Sequence, residues 1–201
     1  MKGCRPLTME EIELIHEYFE NSIGSEADEK KDLETRNYTL ILFGIYSGFR
    51  ISEILSIKVK DVMKNGKIVD EVYLNKDNTK GKIEGRTARI NKRCKKILEN
   101  HIFHYSLENP ETNLFFSSHG GSITSRQAEN IIKKVFNALK FTGKLSSHTL
   151  RKTFSKFVYE LLDRNVLDLQ KALGHKNLNS TLSYISFDRP RIDLALDKLE
   201  F

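Results

Sequence analysis

From Leu40 to Tyr46 the chain reads Leu-Ile-Leu-Phe-Gly-Ile-Tyr without one polar side chain, and Gly48 follows two residues later. Seven apolar residues are far too few to cross a bilayer. A helix apolar on every side has to be surrounded by other elements. The stretch therefore predicts a central core helix over about Leu33 to Ser47, with Gly48 as its C-cap. A chain of 201 residues with 39% hydrophobic side chains is one domain, or at most two small ones, and can bury a sizeable core. Met1, Lys2 and Arg5 precede an acidic helix and lack the apolar centre of a signal peptide. Cys4 and Cys94 have no spacing that implies a disulfide framework or a zinc knuckle. A reduced, cytoplasmic protein is the expectation.

The elements that surround this helix follow from local patterns. Thr8-Met9-Glu10-Glu11 is a capping box, in which Thr8 and Glu11 each satisfy an N–H at a helix start. Ile12, Ile15, Tyr18 and Phe19 then recur at helical spacing. The polar, Gly-containing Ser22 to Lys31 predicts a loop, and a short helix is expected from about Ser52. From Ile57 to Asn91 the pattern changes to β, with strands over Lys67–Leu74 and Arg86–Ile90 and a turn cluster at Asp77 to Lys82. Further helices are expected near Lys92–Tyr105, Thr124–Leu139, Ser147–Leu162, Val166–Leu173, Asn179–Ser186 and Pro190–Leu199. Leu114 to Ser117 fits a short strand or a packed link. The fold class is mainly α with one small antiparallel β-sheet, an α+β domain.

Charge is unevenly distributed. Residues 1–40 hold 5 basic and 10 acidic side chains, whereas residues 41–201 hold 28 basic and 17 acidic. Residues 58–96 alone carry 13 basic and 5 acidic side chains, so the hairpin is the most basic part of the chain. Such a balance suits a polyanion, and nucleic acid is the commonest one. It equally suits a merely soluble basic surface.

Three short segments carry candidate chemistry. In Ser146-Ser147-His148-Thr149-Leu150-Arg151, Ser147 is a good N-cap, and the i, i+3 spacing sends His148 and Arg151 to one face of the first turns. Free N–H groups at that end already favour an anion. In Ser47-Gly48-Phe49-Arg50-Ile51-Ser52-Glu53, Arg50 follows a helix-ending glycine, and Glu53 can hold it by a bidentate pair. In Leu173-Gly174-His175, the glycine ends a helix and leaves the imidazole free to face a site, with Tyr184 nine residues later. Taken singly, the first fits a solvated surface pair, the second an intrahelical salt bridge, and Tyr184 a core-edge tyrosine.

In combination and in this order, Arg50, His148-x-x-Arg151, His175 and Tyr184 resemble the catalytic signature of the tyrosine recombinase (phage integrase) family, from about Leu7 to Tyr184. The resemblance implies that family's catalytic-domain fold and a site-specific recombinase of duplex DNA that cleaves and rejoins through a 3′-phosphotyrosyl intermediate. It implies Tyr184 as nucleophile, Arg50 and Arg151 as clamps on the non-bridging oxygens, and His148 as manager of the tyrosine's proton. His175 would hydrogen-bond the phosphate, and Glu53 would orient Arg50. A hairpin lysine would protonate the leaving 5′-oxygen; Lys80 best resembles the pattern, with Lys82 and Lys76 as alternatives. The scheme needs no metal, cofactor, ATP, membrane or small-molecule substrate, and it implies a tetramer on DNA. His101 and His104, at i, i+3, read as a surface pair rather than a metal site. Competing readings are a DNA-binding accessory relative that no longer recombines, and a type IB topoisomerase.

The sequence also departs from the family. Most relatives carry a separate helical DNA-clamping domain first, whereas here the catalytic start near Leu7-Thr8 arrives almost at once. The expectation is a single catalytic domain over residues 1–201 without a separate N-terminal core-binding domain, as a short recombinase or as a fragment of a longer one. Phe187 to Phe201 is expected to form a helix, and the resemblance implies that this tail docks on a neighbouring subunit.

Overall fold

The computed structural model describes residues 3–25, 28–75, 85–118 and 120–185. Helix α1 (Met9–Ser25) opens with the expected box. The Thr8 N–H donates to Glu11 Oε2 at 3.0 Å, and the Glu11 N–H donates to Thr8 Oγ1 at 3.2 Å. Helix α2 (Asp28–Ser47) is the central element. Leu40 and Phe43 face one hydrophobic cluster, while Ile41 and Ile45 face another. The first cluster joins α2 to α3 (Ile51–Ser56), α4 (Val59–Val62), the strands, α5 (Lys92–His104) and Phe115. The second joins it to Ile12, Ile15 and Phe19 of α1, to Ile132 and Phe136 of α6 (Ser125–Ala138), and to Leu150 of α7 (Ser147–Leu161). Each such fully buried side chain contributes on the order of 2 kcal/mol, so one helix serves both cores. Gly44 lets α7 approach closely, because a Cβ there would lie 2.7 Å from Leu150 Cδ1.

Two short helices follow: α8 (Val166–Leu173), which packs on α7, and α9 (Leu178–Leu182), which packs on α8. The β region differs from the expected single hairpin. Strands β1 (Met63–Lys64) and β2 (Lys67–Ile68) pair around Asn65 and Gly66, both at positive φ, and β3 (Glu71–Leu74) pairs antiparallel with β4 (Arg86–Arg89). Asn-Gly is a strong tight-hairpin signal, so the long strand over 67–74 breaks into two. The expected loop over Ser22–Lys31 is also shorter than predicted, since α1 runs to Ser25 and α2 starts at Asp28. The turn cluster at residues 77–82 and the helix expected over 190–199 lie outside the described residues.

His101 overturns the expectation of a surface pair. It is fully buried, its Nε2 lies 2.8 Å from the Leu114 carbonyl, and its ring packs against Tyr105 and Phe115. Burial pushes its pKa down from 6.5 to about 4. The folded protein thus holds it neutral while the unfolded chain binds a proton. Stability is full above pH 6.5 and is lost as pH falls towards about 4, by about 3 kcal/mol for this group. Denaturant titrations at pH 7 and pH 4.5 are expected to show a smaller loss for His101→Gln than for the wild type. Equal losses would contradict this account.

Candidate active site

The site is built where α2 ends, α7 begins and α8 ends. Helix α7 is capped one residue earlier than expected. Ser146 is its N-cap, with the Ser146 N–H donating to Thr149 Oγ1 at 3.1 Å. The Ser147 N–H donates to Glu129 Oε2 of α6 at 2.8 Å. Burial pushes the Glu129 carboxyl up, but the bonds from Ser147 and Lys133 outweigh it and hold the group below its ordinary value. His148 is exposed in the first turn, whereas Arg151, one turn on, is only 1% exposed.

Arg151 is the hub. Its Nη1 donates to the Gly48 carbonyl, and its Nη2 lies 2.9 Å from the Leu173 carbonyl and 2.8 Å from His175 Nε2. These three partners orient the guanidinium without cancelling its charge. Gly48 makes the first of them possible. Its φ of +64° is left-handed, and a methyl group there would run into the Phe154 ring. Gly48→Ala is therefore expected to cost about 2–4 kcal/mol through strain and overpacking, read as a lowered denaturation midpoint. An unchanged midpoint would contradict it.

His175 is placed by α8. Gly174 ends that helix in the left-handed conformation, and the His175 N–H then donates to the Gln170 carbonyl at 3.0 Å. Gln170 Nε2 in turn donates to the His175 carbonyl at 2.9 Å. The imidazole is buried, with Nδ1 at 3.0 Å from Thr181 Oγ1. Tyr184 follows α9, its N–H donating to the Thr181 carbonyl at 2.9 Å. Its ring centroid lies 5.5 Å from that of His175 and 5.7 Å from Arg151 Cζ. Lys152 Nζ stands 6.0 Å from the same ring centroid.

Arg50 reaches this cluster through the backbone, two residues beyond Gly48. Glu53 holds it differently from the expected bidentate fork. One carboxylate oxygen takes Arg50 Nη1 at 2.9 Å, and the other takes the Arg50 backbone N–H at 2.8 Å. Glu53 is fully buried while the Arg50 side chain is 22% exposed, so the pair aims a half-buried guanidinium from a rigid base. Arg151, His175 and Tyr184 are thus in direct proximity, and Arg50 and His148 stand on the adjoining helix starts. Lys80, with its alternatives Lys76 and Lys82, lies outside the described residues. Among those residues no group of three or more His, Cys, Asp or Glu side chains could hold a metal ion. No helix among them is long and apolar enough to cross a membrane.

The pattern that defines the phage integrase family matches residues 5–189. The chain belongs to the phage integrase family. Within it, the chain is 32% identical over 155 residues to the probable integrase/recombinase YoeC of Bacillus subtilis strain 168, covering 76% of this chain and 78% of that protein. It is 28% identical over 167 residues to the tyrosine recombinase XerH of Campylobacter jejuni, covering 82% of this chain and 45% of that one. The chain therefore spans about half the length of such a Xer relative. The fold matches the XerH recombinase in its pre-cleavage complex with difH substrate, with a TM-score of 0.71 at 24% identity, over 100% of this chain and 56% of that one. A post-cleavage XerH complex with palindromic difH gives 0.73. The fold is that of a tyrosine recombinase catalytic domain, mostly helical with small antiparallel sheets, as this integrase-family sequence predicts.

Sequence reasoning missed Thr181, Glu129 and Lys152 as parts of the site. Asn177 and Ser180 around Thr181 signal only a short capped turn. That a threonine hydroxyl would meet an imidazole six residues away depends on how α8 and α9 fold back together.

Proposed function

We propose that this integrase-family chain is the catalytic domain of a site-specific recombinase that cleaves and rejoins duplex DNA through a 3′-phosphotyrosyl intermediate. The observation that carries it is the seating of the Tyr184 ring against Arg151 and His175. A phenol, with an ordinary pKa near ~10, needs help to attack a phosphodiester at neutral pH. In this reading Tyr184 Oη attacks phosphorus, and its proton passes to His148. The bond to the 5′-oxygen breaks, and a lysine, Lys80 by the family pattern, protonates that oxygen as it leaves. The 5′-hydroxyl of a second strand reverses the step and joins new ends.

Arg50 and Arg151 balance the charge that builds on the non-bridging oxygens. Fixed donors of this kind are each worth about 3–4 kcal/mol of barrier. Burial of Arg151 raises the effect, because a charge in a low-dielectric setting acts more strongly than one in water. The Tyr184 ring lies over the guanidinium, so a phosphate held at Arg151 meets nucleophile and cation together. The phosphotyrosine conserves the bond energy, which makes ATP unnecessary. The reading includes duplex DNA as partner, a tetrameric synapse and action in the cytoplasm.

A pool of nicked duplexes with randomised sequence and 5′-labelled strands tests it. Label is expected to migrate with the protein on a denaturing gel and to disappear after protease treatment. Binding of the pool without any adduct would overturn the recombinase reading in favour of an accessory DNA-binding role.

A further inference from the structure

Thr181 touches both halves of the site. Its hydroxyl, in a residue with no solvent exposure, lies 3.0 Å from His175 Nδ1, and its carbonyl accepts from the Tyr184 N–H at 2.9 Å. The far side of the imidazole settles which way the first bond runs. A guanidinium has five donors and no acceptor, so Arg151 Nη2 at 2.8 Å must donate to His175 Nε2. That nitrogen therefore carries no proton. A neutral imidazole has one N–H, which must sit on Nδ1 and donate to Thr181 Oγ1.

We propose that Thr181 is a positioning residue of the recombinase reaction: it fixes His175 in the Nδ1–H tautomer, turns Nε2 towards Arg151, and ties that ring to the segment carrying Tyr184. The inference rests on the function proposed above for the reaction, but not for the tautomer. In this form His175 acts on a phosphate through the guanidinium it orients. Direct donation from Nε2 to a phosphate requires the ring to take a proton from solvent and the Arg151 Nη2 contact to give way to the phosphate oxygen, while the Nδ1–H to Thr181 bond is kept. Without the hydroxyl, the buried Nδ1–H loses its acceptor. The alternative tautomer then points an N–H at the Arg151 donor and forces the two apart.

Protein carrying ¹⁵N-histidine, with His175 assigned by comparison with His175→Gln, reports through long-range proton–nitrogen correlation which ring nitrogen bears hydrogen. The same proteins are then tested for the rate of adduct formation with the nicked duplex pool. Wild type and Thr181→Ser are expected to show Nδ1–H. Thr181→Val, which keeps the shape, is expected to lose that signature and to form adduct at least about tenfold more slowly, with Thr181→Ser restoring most of the rate. A wild-type His175 protonated only at Nε2 would overturn the proposal, as would a Thr181→Val protein that keeps the Nδ1–H signature and a rate within about twofold of wild type. If Thr181→Val does not fold, the spectra of wild type and Thr181→Ser still decide, since Nε2–H in either contradicts the assignment. If the tautomer responds as expected while wild type forms no adduct, the tautomer assignment stands and the recombinase reading fails.

Discussion

Tyr184→Phe is expected to abolish the covalent adduct while leaving fold and DNA binding intact. The substitution removes one oxygen and keeps the ring, so the contacts at 5.5 Å to His175 and 5.7 Å to Arg151 survive. A ring–cation contact of this kind is worth about 0.5–2 kcal/mol and does not depend on the hydroxyl. The Tyr184 N–H bond to Thr181 also survives, because it is made by the backbone. Filter binding to the duplex pool should match wild type, while the labelled protein band vanishes. An adduct that persists in Tyr184→Phe would mean that another of the seven tyrosines, or another nucleophile, does the work.

Arg151→Ala is expected to be the most damaging single change, because it acts on two levels. On stability, it leaves the Gly48 and Leu173 carbonyls and His175 Nε2 without the donor they now share, and opens a cavity at a site that is 1% exposed. Unsatisfied buried acceptors and a large-to-small cavity together cost about 3–5 kcal/mol. On catalysis, losing a fixed cation at the developing charge slows adduct formation by about 10²–10³-fold or more. Arg151→Lys separates the levels. A lysine keeps the charge but, as a single nitrogen, cannot span two carbonyls and an imidazole in the planar geometry of the guanidinium. Its melting temperature should lie between those of wild type and Arg151→Ala, and single-turnover adduct formation well below melting should still be about 10²-fold slow. A lysine variant with the wild-type rate would contradict the role given to the planar fork.

Much of this was legible in the residue order, for reasons that can be stated. The all-round apolar run from Leu40 to Tyr46 could only be a core helix, and α2 does face two hydrophobic clusters. The boxes around Arg50, Arg151 and His175 were legible because each pairs a helix boundary with a polar side chain, and helix boundaries have local signals. What was missed lacks such signals. One turn of helix at Val59–Val62 is too short to show periodicity, and polar residues at Ser22–Ser25 and Asp28–Lys31 do not by themselves break a helix. His101 looked like a surface residue beside His104, yet only the packing of Tyr105 and Phe115 decides that it lies inside. Thr181 is informative only through the partner it meets in space.

The proposed reaction transfers a phosphodiester to one particular phenol. Digesting the trapped adduct with nuclease and protease and sequencing the nucleotidyl peptide by mass spectrometry identifies that phenol. A 3′-nucleotide mass is expected on the peptide containing Tyr184, with a free 5′-hydroxyl on the released strand. A nucleotide on any other residue, or a 5′-linked one on Tyr184, would contradict it.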